Sequence, residues 1–230
     1  MTEHIIYLIY YFLFLISTIG HGLIFSRFVF KDFIGLNLGY QGLIGFFSVS
    51  LISIFSSFLT PHDYVHNSIL HCLGLIGFFS LLKNRIDKFK EIKILCILSL
   101  IFLIGAYLYK NHDDFPYYHL TYSLNLSQNK FIIGTGIFSH GFRTFSSLFY
   151  YHSTLLMPGI EIYLFHIGPL YILLFFNFVI IKKLFFENIK KQYNFTDYFS
   201  LTGLIFINVA FYRISEHGTD RSAQILLILI

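Results

Sequence analysis

IIYLIYYFLFLISTIGHGLIF, residues 5–25, runs for 21 positions without a charged side chain. A helix of that length rises about 31 Å, and the hydrocarbon core of a bilayer is about 30 Å thick. Met1–His4 carries no Lys or Arg, so the basic start of a cleaved signal peptide is missing and the stretch reads as a retained transmembrane helix. Five further apolar stretches approach the same length, at about 38–59, 68–82, 93–109, 161–181 and 199–212. A seventh begins near Ser222 and has reached about half the needed length at Ile230. The fold class expected is therefore all-α: a polytopic bundle of about six spans plus the start of a seventh, read as the N-terminal part of a longer protein.

Composition agrees. Only 12% of residues are charged and 56% are apolar or aromatic, with a mean hydropathy of +0.68. Soluble domains carry about 25% charged residues, so this chain cannot clothe a water-facing surface. Cys72 and Cys96 both sit within apolar runs, and neither a disulfide framework nor a metal spacing follows from them. Residues 1–230 read as one transmembrane domain with a single long connection, 110–160.

The charges are unevenly placed. Loops 26–37, 83–92 and 182–198, with Lys93 at a boundary, hold 11 of the 16 basic residues. The alternate segments hold five: Lys110, Lys130, Arg143, Arg213 and Arg221. The positive-inside rule makes the first set cytoplasmic and the N-terminus external. A net charge of +4 distributed this way expresses membrane orientation and leaves no role for nucleic acid. Histidine runs the other way: His4, His62, His66, His112, His119, His140, His152 and His217 all fall in the external set.

Within 110–160 the segment Asn111-His112-Asp113-Asp114-Phe115-Pro116-Tyr117-Tyr118-His119 carries the most chemistry. Adjacent carboxylates at the end of a span repel and are costly to desolvate. Such a pair can hold a divalent metal or divide the work of base and hydrogen-bond acceptor. The plain alternative is a helix cap with a solvated neighbour, since Pro116 suits a first helical turn. An amphipathic stretch at 117–129 and a second apolar-aromatic one at 141–157, with Gly134-Thr135-Gly136 between, read as two interfacial helices; burial against the spans is the alternative. Elsewhere, Thr60 and Pro61 suit a helix start. His62 and His66 share a helix face as a weak candidate metal pair. His21 and Asn177 read as hydrogen bonds between spans.

A span ending in Asp-Asp, then Tyr-Tyr-His and two interfacial helices, resembles the first external loop of the family C glycosyltransferases. These are polytopic enzymes that use polyprenyl-phosphate-linked sugars. The likeness covers the layout of about residues 93–181. It implies a catalytic or metal-binding role for Asp113 and Asp114, a bacterial inner (plasma) membrane location, and a lipid-linked sugar as partner beside the membrane lipid. Substrate contacts are then expected from His112, His119, Arg143, Arg213 and Arg221, with a divalent metal at Asp113 and Asp114 where one is used. The sequence departs from that family in placing three extra spans ahead of the one that leads into the loop. More narrowly, it resembles bacterial membrane proteins with additional N-terminal helices. An O-antigen polymerase or ligase type would put the weight on Arg and His instead. A transporter or assembly subunit would place charges at mid-membrane, where this sequence has no Asp or Glu.

Overall fold

A computed structural model describes residues 2–30, 35–83, 88–108, 113–143, 145–187, 193–210 and 220–229, and the described residues form helices and turns with no strand. The helices are α1 (Thr2–Val29), α2 (Leu38–Ser57), α3 (Tyr64–Leu82), α4 (Phe89–Tyr107), α5 (Leu120–Gln128), α6 (Ser147–Ser153), α7 (Ile167–Ile181), α8 (Phe195–Ala210) and α9 (Asp220–Leu229).

Four helices are long and apolar enough to cross a membrane: Glu3–Val29, Leu38–Ser57, Tyr64–Leu82 and Ile167–Phe186. The expected count of about six is reached only in part. α4 has the length but carries Lys90, Glu91 and Lys93 in its first turns, and α8 is 16 residues long.

Polar side chains are buried between the helices beside an apolar core, and the outside of the helices is apolar as well. Ser17, Thr18, His21, Gln41, Ser50, Ser53, Asn67 and His71 are buried, while Ile69, Leu73, Ile76 and Phe79 form an exposed stripe on α3. Ile97, Leu100, Ile101 and Ile104 do the same on α4. Stripes of this kind suit lipid, whose tails are as apolar as Leu, and there helices associate through small residues and hydrogen bonds.

α1 lies between α2 and α3 at very short range. A Cβ on Gly45 would run into the Thr18 carbonyl oxygen, and one on Gly20 into the Gly74 carbonyl. Side-chain hydrogen bonds hold the interfaces that these glycines bring together. His21 Nε2 lies 2.9 Å from the Leu70 carbonyl, and Asn208 donates to Asn177 Oδ1 at 2.7 Å. Both expectations for intramembrane polar residues are met. α7, apolar on every face, is the centre: Ile167 through Ile180 is buried throughout, and the Tyr171 hydroxyl donates to the Tyr11 carbonyl of α1.

The starts of α2 and α4 and the end of α7 meet at one end. Glu91 accepts from Lys88 at 3.0 Å and Lys182 at 2.8 Å, and from the Leu38 backbone N–H at 2.8 Å. Lys88 also donates to the Leu36 carbonyl at 2.9 Å. All belong to the lysine-rich set, so three separate loops of that set come together.

Two local expectations change. α3 is capped by Asp63, whose carboxylate accepts from the His66 N–H at 2.9 Å, not by Thr60. His62 intervenes because its own N–H is committed to the Leu126 carbonyl at 2.8 Å. The second loop helix is also not a surface helix. Leu148 through Ser153 of α6 is buried all round, because Phe149, Tyr150 and Tyr151 pack inward and the flanking serines and threonine supply the bonds.

Candidate functional site

Pro116 has no N–H, and the chain after Asp114 winds as a π-helical turn over Phe115–His119. The Asp114 carbonyl accepts from the N–H groups of Tyr117 and Tyr118, each at 3.1 Å. The Tyr118 hydroxyl donates back to Asp114 Oδ2 at 3.4 Å. Asp114 is half-buried and Asp113 exposed.

Tyr118 also joins this turn to the next one. Its ring lies directly on Gly141, where a Cβ would collide with it. Gly141 belongs to the short 3-10 turn His140–Arg143. Arg143 Nε donates to the Gly136 carbonyl at 3.0 Å, which leaves the guanidinium on the surface. The Asp pair and Arg143 thus ride on two turns clasped through one tyrosine. Beside them, Ile133, Ile137 and Phe138 are each more than 80% exposed, displayed by a bend at Gly134, whose φ is +91°.

His119 faces the other way. It is buried against Tyr118 (4.3 Å between ring centroids) and Phe149 (5.1 Å), so it supports the turn from beneath. His112 and Arg213 lie outside the described residues, as does the side chain of Arg221, which stands in the first turn of α9. Among the described residues no group of three His, Cys, Asp or Glu is placed to hold a metal ion.

Beneath the site is a polar network with no signature in the sequence. His62 Nε2 lies 3.0 Å from the Ser53 carbonyl and Nδ1 2.6 Å from Ser153 Oγ. His66 stacks on it at 4.6 Å, with Nδ1 3.0 Å from Asn67 Oδ1 and Nε2 2.9 Å from Ser56 Oγ. His62 Nε2–H donates to the Ser53 carbonyl, His66 Nδ1–H donates to Asn67 Oδ1, and Ser56 donates to His66 Nε2. The Ser153 hydroxyl lies between His62 Nδ1 and the Tyr150 carbonyl, 2.8 Å away. Burial, and the charge His66 would carry, push His62 down to about 4. The Asn67 amide nitrogen spans the carbonyls of His62, Ser153 and Leu156 at 2.9–3.0 Å, tying α3 to the end of α6. These bonds occupy the His62–His66 pair as structure. They also explain why α6 is held inside.

His152 is the exception in this region. Its Nε2 is buried with no hydrogen-bond partner, and a Cβ on Gly168 would come within 2.7 Å of it. Burial first, then the nearby His119 and His166, push it down to about 3. Comparison with protein-family models, curated proteins and solved structures finds no match to this chain.

Proposed function

We propose that this chain is a membrane-embedded glycosyltransferase unit that moves a sugar from a polyprenyl-phosphate-linked donor on the external leaflet of a bacterial inner membrane. In this reading the N-terminus is external, the Glu91 cluster is cytoplasmic, and α4 and α8 complete six spans. One observation carries it: Asp114 and Arg143 are held on turns clasped through Tyr118, next to an exposed apolar fringe. That arrangement sets a proton acceptor and a cation together where a lipid-linked phosphate arrives.

The chemistry follows from those two charges. An acceptor hydroxyl approaches the anomeric carbon, and Asp113 or Asp114 takes its proton as the new C–O bond forms. The bond between the anomeric carbon and the phosphate oxygen breaks, its electrons leaving with the polyprenyl phosphate. The Arg143 guanidinium neutralises that leaving group, a task its forked donors suit. Inversion at the anomeric carbon results.

Steady-state kinetics on the full-length protein separates the roles. Asp113→Asn or Asp114→Asn is expected to lower kcat by about 10²–10⁴-fold, with KM little changed. Arg143→Ala is expected mainly to raise KM for the donor. Full activity in both Asp variants with loss in Arg143→Ala would move the assignment to the polymerase or ligase type of chemistry.

A further inference from the structure

A cleft of about 370 Å³ opens between the start of α1, the end of α4 and the turn before α7, and neither Asp113 nor Asp114 lines it. The first turns of α1 provide Glu3, His4 and Tyr7, the end of α4 provides Tyr107, and the turn leading into α7 provides Glu161 and Tyr163. Tyr7 and Tyr107 are stacked with centroids 4.9 Å apart, and His4 leans on Tyr107 at 6.2 Å. The Tyr7 hydroxyl donates to the Ala106 carbonyl at 3.0 Å and lies 3.2 Å from His166 Nε2. The ring therefore cannot swing to fill the space.

Glu161 is the one non-glycine residue with positive φ among the described residues, at +45°. Its N–H bonds to the Met157 carbonyl at 3.0 Å, and the bend at Gly159, with φ +79°, precedes it. A left-handed glutamate is strained, and a glycine would relieve the strain at no cost to that bond. Among the described residues, Glu3 and Glu161 make no ion pair and no Lys or Arg lines the cleft.

Negative charge and aromatic faces together select one kind of guest. Carboxylates attract a cation, and tyrosine faces stabilise an alkylammonium far better than they do a hydrated anion. A bare divalent metal would need at least a third close oxygen or nitrogen ligand, which the described residues do not assemble. We infer that the cleft between Glu3, Tyr7, Tyr107, Glu161 and Tyr163 binds an organic ammonium group, the headgroup amine of a phospholipid or a free small amine. The inference stands apart from glycosyl transfer, since it uses none of the same residues.

The test uses the full chain in nanodiscs. In discs of phosphatidylglycerol alone, ethanolamine hydrochloride is titrated and binding followed by saturation-transfer NMR. In discs mixing phosphatidylethanolamine with phosphatidylglycerol, the lipid retained on release is counted by native mass spectrometry. Binding of ethanolamine supports a free amine, and selective retention of phosphatidylethanolamine without it supports a headgroup. In either case Glu3→Gln/Glu161→Gln and, separately, Tyr107→Leu should weaken binding by about tenfold or more. Asp113→Asn and Asp114→Asn should leave it unchanged, so failure of the glycosyl reading and failure of this one remain distinct. No binding of either probe to the wild type, or equal binding by the wild type and both cleft variants, would overturn the inference.

Discussion

One ring nitrogen of His62 faces the Ser53 carbonyl and the other the Ser153 hydroxyl, and the ring is buried. Protonation would put a charge into that buried site. The ordinary histidine value is about 6.5. Folding lowers His62 to about 4 and His152 to about 3, burial being the main cause in both. Below about pH 6.5 the unfolded chain takes up protons that the folded chain refuses, so the unfolded state gains. Stability should be full above pH 6.5 and decline as pH falls toward 4. Melting curves in detergent from pH 8 to 4.5 check this: the midpoint should drop with acid, and His62→Gln should start lower and drop less. A midpoint that rises on acidification would contradict the neutral assignment. Asn67 offers a companion test. Its side chain serves carbonyls from two separate segments, so Asn67→Leu should destabilise by about 1–3 kcal/mol, read as a lower midpoint at every pH.

At the scale of elements, the fold depends on how closely α1 approaches its neighbours. Gly45 sits against the Thr18 carbonyl with no space for a side chain. Gly45→Val must separate α1 from α2 and should cost about 1–3 kcal/mol or more, measured by thermal unfolding of the purified protein. The Glu91 cluster is a second clasp. Glu91→Gln leaves Lys88 and Lys182 without their shared counter-charge, and breaking a buried pair costs about 3–5 kcal/mol. An unchanged midpoint in that variant would show the cluster to be solvated. Much of this was visible in the sequence and some was not. The long spans announce themselves by length alone, whereas Gly45 and Gly74, which let α1 come close, looked in the sequence like any glycines within apolar runs. The burial of α6 cannot be read, because Phe149, Tyr150 and Tyr151 suit a membrane interface as well as a protein interior. Its anchors are remote: Ser153 meets His62 across 91 positions of sequence. The clasp between Asp114 and the Arg143 turn was hidden for a similar reason. Gly141 looks like an ordinary loop glycine until Tyr118 is seen lying on it.

For the whole molecule, long apolar helices with apolar outer stripes fit a membrane as the solvent of the fold, and the proposed direction puts the lysine-rich loops inside. Orientation is tested with single cysteines at Lys83 and Ile133, in a chain whose exposed Cys72 and Cys96 have been replaced by Ser. An impermeant maleimide added to intact cells should label position 133 and spare position 83, and the opposite pattern would invert the topology. The reading of function rests on that direction, because a donor on the external leaflet can reach the Asp pair only if the histidine-rich end is outside. The central claim is that Asp113 and Asp114 activate an acceptor against a polyprenyl-phosphate-linked sugar. Its most direct measurement is the release of polyprenyl phosphate in proteoliposomes holding the full-length protein, radiolabelled donor and a cell-envelope glycan acceptor. Wild type should release it in step with glycosylated product, and the Asp113→Asn/Asp114→Asn double variant, inserted at the same level, should fall by about 10²-fold or more. Release by the double variant at the wild-type rate would contradict the account and reduce the Asp pair to the cap of a helical turn.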